Sequence, residues 1–176
     1  MRRLIVCALL AGAVSSIGAT DAPPPAKPPA CASRSAHSQF DFWIGHWEVR
    51  DPAGKLQGHS RIERILDGCG IAEYWDGAGG THGVSYNAFD AAANTWRQFW
   101  IDDSGQSVLQ LEGGLKDRSM VLASVPKTVK GKAAPVQRIT WTPQADGGVR
   151  QVWDQSDDGG KTWKIAFDGI YRKDAG

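Results

Sequence analysis

Between Trp43 and Arg172, apolar and polar residues alternate over short stretches, and each stretch stops at a cluster of Gly, Pro, Asp, Asn or Ser. A period of two belongs to strands with one face turned inwards, and no segment carries the 3.6-residue period of a long amphipathic helix. The pattern predicts about ten strands, at 45–51, 55–66, 71–76, 82–90, 95–102, 107–112, 119–126, 136–142, 148–155 and 162–172. Pro52-Ala53-Gly54, the glycine-rich run Asp76 to Gly80, Ser104-Gly105 and Ala145-Asp146-Gly147-Gly148 supply the turn chemistry between them. Lys127 to Ala134 holds three lysines and a glycine and reads as an exposed loop.

Strands joined by short hairpins make an antiparallel up-and-down order the economical one, and closure into a barrel removes the exposed edges. A sandwich is the alternative, but the connections leave little chain for links between sheets. The expected fold is therefore all-β, an antiparallel up-and-down barrel of about ten strands with a short helical turn near Phe40.

Pleat parity sorts the side chains. Glu73 shares a face with Ile71 and Trp75; Gln98 with Trp96 and Trp100; Gln151 with Val149 and Trp153. These faces mix aromatic with polar groups, which a solid apolar core accommodates poorly, since an unpaired buried polar group costs about 1–3 kcal/mol. Either they line a cavity, or their polar members face solvent with the indoles at the rim. On the cavity reading, Glu73, Trp75, Gln98 and Trp100 line it, and Arg138 or Gln151 supplies a second polar wall.

The N-terminus carries a different signal. Arg2 and Arg3 precede an apolar run from Leu4 to Ala13, and small residues follow to Ala19 and Ala22. This is the layout of a secretory signal peptide at 1–19, with cleavage extending to 22 as the variant; an uncleaved anchor is the alternative. Neither Cys7 nor Cys31 has the preceding residues of a lipoprotein site. Residues 20–36 are Pro/Ala-rich at their start and read as a linker to a domain at 37–173. Export places the chain in the periplasm or outside the cell, with no membrane span once the signal is removed. Cys31 and Cys69 then remain, an even count in a compartment where disulfides persist, and one bridge is expected, with two free thiols as the alternative.

Composition narrows the partners. With 41% hydrophobic residues, eight Trp and a net charge of +1, the 176-residue chain has the make-up of one globular domain. Signal removal takes away Arg2 and Arg3, lowering Lys+Arg from 20 to 18 against 19 Asp+Glu. Neither state gives electrostatic reason for a nucleic-acid partner.

Asp41-Phe42-Trp43-Ile44-Gly45-His46-Trp47 resembles the opening of calycin-type barrels, with Gly45-x-Trp47 similar to the Gly-x-Trp of lipocalins. That resemblance implies that Trp47 plugs the closed end, with Arg172 of the last strand packed over it. The same opening, with Glu73-Tyr74-Trp75 and the Trp96-x-Gln98-x-Trp100-x-Asp102 strand, resembles bacterial exported proteins of uncharacterised function. Nitrobindins, haem-binding barrels of related form, use a late histidine as iron ligand; here the last histidine is His82. Ser156-x-Asp158-x-Gly160-x-Thr162-Trp163 resembles the Asp-box hairpin turn of sialidase blades, but a propeller needs several copies and the sequence holds one.

No metal-ligand spacing, nucleophile elbow or cofactor motif is present, so neither metal nor cofactor is expected. Three functions remain open: a barrel that binds a small, partly apolar ligand; a lyase or isomerase of a small hydrophobic molecule with Glu73 as acid or base; and an envelope interaction module with a solid barrel. For Glu73, a structural bridge to Arg138 stands beside the catalytic role.

Overall fold

The computed structural model describes Cys31, residues 34–105 and residues 108–174; the expected signal peptide and most of the expected linker lie outside the described residues. The strands are β1 (Gly45–Arg50), β2 (Leu56–Ile65), β3 (Gly70–Gly77), β4 (His82–Asp90), β5 (Thr95–Asp102), β6 (Leu109–Lys116), β7 (Ser119–Ala123), β8 (Thr128–Val129), β9 (Lys132–Ala133), β10 (Val136–Pro143), β11 (Val149–Ser156) and β12 (Lys164–Lys173). Ten of them close into one antiparallel barrel, each paired with its sequence neighbour and β12 returning to β1. β8 and β9 form a separate exposed hairpin in the lysine-rich loop between β7 and β10. This is an all-β, calycin-like, up-and-down barrel, as the alternation and short turns predict. Among the described residues no helix is long and apolar enough to cross a membrane.

The largest difference in strand bounds is at β6, which runs on through Gly113 to Lys116 instead of stopping at Glu112. Gly113 has φ of 157°, and a Cβ there would lie 2.2 Å from the Val121 carbonyl oxygen. Only glycine lets the strand continue against β7 at that point.

One end of the barrel is filled by aromatic rings. Two 3₁₀ turns, Ser35–Ser38 and Asp41–Trp43, precede β1. They carry Phe40 and Trp43 into the barrel end, stacked at 4.9 Å and 17°. Phe40 meets Trp96 and Trp141 edge-on, Trp43 meets Tyr171 likewise, and both plug residues are fully buried. Trp47 Nε1 donates to the Trp43 carbonyl at 2.9 Å, and Trp96 Nε1 to Gln39 Oε1 at 3.1 Å, so the indoles also fix the backbone that brings in the plug.

The cation over Trp47 is Lys173, with Nζ 3.8 Å from the ring centroid, and this corrects the expectation for Arg172. The reason is register. Trp47 stands opposite Lys173, while Arg172 stands opposite Glu48 on the outer face, where it pairs with Asp146.

Cys31 and Cys69 form a disulfide, tying the segment before the plug to the turn between β2 and β3. The cysteines are 38 residues apart. By loop-closure entropy a loop of that size contributes about 4 kcal/mol. Replacing both cysteines by serine is therefore expected to lower the urea-unfolding free energy by about that amount. A loss below about 1 kcal/mol would show that the plug holds without its tether.

Candidate functional site

The opposite half of the barrel is not filled. A cavity of about 250 Å³ opens at the end that carries the β3–β4 hairpin, with Gly77, Gly79 and Thr81 at its rim. Pleat parity builds its lining in two layers. Trp75, Trp100, Trp153 and Phe167 form an aromatic layer near the rim. One pleat deeper, on the same faces of β3, β5 and β11, stand Glu73, Gln98 and Gln151, joined by Tyr171 from β12. On β10, Ile139 stands opposite Trp153 and Trp141 opposite Gln151, and Trp141 leads on to the aromatic plug.

The wall indoles are held in place by their own neighbours. Trp100 Nε1 donates to Asp102 at 3.2 Å, Trp153 Nε1 to Gln137 Oε1 at 2.7 Å, and Trp75 meets Phe167 edge-on at 6.0 Å. Trp100 packs against Gly83 of β4, where an added Cβ would come within 2.2 Å of the ring. Glycine at 83 is thus a condition for the shape of the wall.

The polar floor is a directed network. Ser60 Oγ donates to Glu73 Oε1 at 3.1 Å, and Ser85 Oγ to Oε2 at 2.9 Å. Gln98 Nε2 donates to Asn87 Oδ1 at 2.9 Å, and Asn87 Nδ2 to Ser85 Oγ at 3.0 Å. Across the barrel, Gln151 Oε1 accepts from both Trp141 Nε1 at 2.9 Å and the Tyr171 hydroxyl at 2.6 Å. Gln98 Oε1 is buried and accepts from none of the described residues.

Glu73 is 5% exposed and has two serine hydroxyls as partners, with no cation beside it. Burial pushes its pKa up to about 7, against the smaller lowering effect of the two hydroxyls. The Tyr171 hydroxyl is raised well above its usual value by burial and then by the nearby Glu73 charge.

The cavity brings together Glu73, Trp75, Gln98, Trp100 and Gln151, but not Arg138. Arg138 alternates with the inward Ile139, so it faces outwards, 3.9 Å over the Trp163 ring and 3.0 Å from Asp154. That geometry corrects both its expected place in the second polar wall and the expected bridge from Arg138 to Glu73. The β11–β12 turn is held by Asp158, whose Oδ1 accepts from the Lys161 and Thr162 amides and the Ser156 hydroxyl. Gly160 N donates to Ser156 Oγ, and Trp163 Nε1 to the Gly160 carbonyl. These contacts hold the Asp158 carboxyl far below the usual range, with the Thr162 hydroxyl and amide the leading causes.

Sequence reasoning missed Ser60, Ser85, Asn87, Trp141, Phe167 and Tyr171. On β4 the signal was present: Ser85 and Asn87 share the face opposite to Val84 and Tyr86, which puts polar groups inside. Among the described residues, no three of His, Cys, Asp or Glu cluster as a metal site requires. Compared with known proteins, the chain matches no family model and no curated sequence.

Two outcomes follow from this geometry. Unfolded, a glutamate loses its proton near 4.5, whereas folded Glu73 loses it near 7. Between those values the folded state binds more protons, so stability falls as pH rises through the window and is flat above it. The fall is about 3 kcal/mol. Glu73→Gln has no such proton, so its stability relative to wild type is expected to rise by about that amount between pH 4.5 and 8, read by urea unfolding at both. Parallel profiles would contradict the burial of the charge. Separately, Gly83→Ala is expected to cost about 1–3 kcal/mol by overpacking and to shift the Trp100 ring, seen as a changed near-ultraviolet circular dichroism.

Proposed function

We propose that this protein is an exported, lipocalin-like barrel that binds a small, partly apolar ligand between the aromatic layer and the polar floor. The observation that carries the reading is the layered cavity itself. Its apolar walls end on a few convergent polar groups, one of which, Gln98 Oε1, is buried without a partner. A cavity of about 250 Å³ suits a molecule of roughly ten to fifteen non-hydrogen atoms. Trp47 under a cation at the closed end supports the lipocalin-like comparison, and the disulfide supports a periplasmic or secreted setting. The open cavity weighs against a solid interaction module.

One observation favours a second reading, acid–base catalysis of a lyase or isomerase type. Burial sets Glu73 to titrate near 7, where a general acid or base works best. Turnover of a bound molecule that stops in Glu73→Gln, with binding retained, would select that reading.

Native mass spectrometry of protein isolated from the envelope fraction of its host is the direct test. The expected result is a retained small molecule, released by organic solvent. In Trp100→Ala the retained fraction falls at least about tenfold while cooperative unfolding persists, because Trp100 is a wall rather than part of the plug. Empty protein, together with no thermal shift from a library of small apolar and amphipathic compounds, would overturn the binding reading.

A further inference from the structure

Resting on the binding reading, we infer that the ligand's head group is a protonated amine seated on Glu73, carrying an aromatic or cyclic apolar body between the wall indoles. The argument begins with the hydrogen-bonding capacity left over in the floor. Gln98 Oε1 is an acceptor without a donor, and each Glu73 oxygen takes only one serine hydroxyl. The donors nearby are mostly committed: the Tyr171 hydroxyl and Trp141 Nε1 to Gln151, Trp100 Nε1 to Asp102 and Trp153 Nε1 to Gln137. A ligand that satisfies Gln98 Oε1 and the open positions on Glu73 must bring N–H or O–H groups, and an ammonium brings three.

Charge points the same way. The groups facing Glu73 are Ser60 from β2, Ser85 from β4 and the titratable Tyr171 from β12, with Gln98 and Gln151 beyond. The arginines of the surrounding strands are engaged elsewhere, Arg61 with Glu63, Arg97 with Asp90 and Glu112, Arg138 with Asp154 and Arg150 with Asp168. At the rim His82 sits between Asp76 and Asp103. The buried carboxylate therefore has no protein cation, and a charge in that position is stabilised by one that arrives with the ligand. An anionic head group would meet Glu73 with like charge. The indole faces of the aromatic layer are electron-rich surfaces that favour a cation and stack a planar body.

The test uses three probes with one indole body, each of about twelve to thirteen non-hydrogen atoms: tryptamine, tryptophol and indole-3-acetate. Their binding to the full chain is measured by isothermal titration calorimetry at pH 8 and pH 6. At pH 8 tryptamine is expected to bind at least about tenfold tighter than tryptophol, and indole-3-acetate more weakly than either. Lowering the pH to 6 protonates Glu73 and weakens tryptamine about tenfold, leaving tryptophol nearly unchanged. In Glu73→Gln tryptamine falls to the level of tryptophol, and the wild-type pH comparison gives the same readout without any variant. Tryptophol or indole-3-acetate binding as tightly as tryptamine overturns the amine assignment and leaves the binding reading standing. Binding of none of the three also overturns the amine assignment, and the retained-ligand measurement then decides the binding reading by itself.

Discussion

Closing ten strands into a barrel forces every second side chain into an interior wider than an ordinary side-chain core fills. Everything distinctive in this molecule follows from how unevenly that interior is packed. Phe40, Trp43, Trp96 and Trp141 occupy one half in a connected set of ring contacts, and Trp47 joins them through Tyr171 and the Trp43 carbonyl. The other half keeps its space, and its lining is set by residues two apart on β3, β5 and β11. The plug is brought in by a segment preceding the first strand, so the disulfide and the hydrogen bonds from Trp47 and Trp96 that hold this segment also define where the cavity ends.

The same constraint inverts the usual amphipathic order on β4 and β5. Ser85, Asn87 and Gln98 are buried, while Tyr86 and Phe99 are 51% and 41% exposed on the outside. Polar groups inside are tolerable because each is tied to the next, from Gln98 through Asn87 and Ser85 to Glu73. The chain of donors converges on a carboxylate that no arginine or lysine neutralises. Stability thus gives something up at Glu73, the pattern by which a functional-site candidate is recognised.

The barrel was legible because its signals are local: alternation, glycine and proline at the breaks, and hairpin turns too short for crossovers. Much of the cavity was legible for the same reason, since Glu73 with Trp75 and Gln98 with Trp100 share a face whatever the neighbours do. Two assignments depended on register between strands, which one sequence does not contain. Arg172 and Lys173 are adjacent, and only the pairing of Trp47 with Lys173 tells them apart. Arg138 needed the recognition that Ile139 and Trp141 are the inward set of β10. The β4 pattern carries a signal for Ser85, but that Ser60 and Ser85 meet on one carboxylate appears only when three strands are paired.

The amine seat and the acid–base reading both turn on the state of that carboxylate. Carbon-13 NMR titration of the Glu73 side-chain carboxyl, with and without tryptamine, measures it directly. The expected result is a midpoint near 7 in the free protein, displaced downwards when the amine binds. A midpoint near that of an ordinary glutamate, unmoved by the amine, would contradict both the desolvated floor and the amine seat built on it.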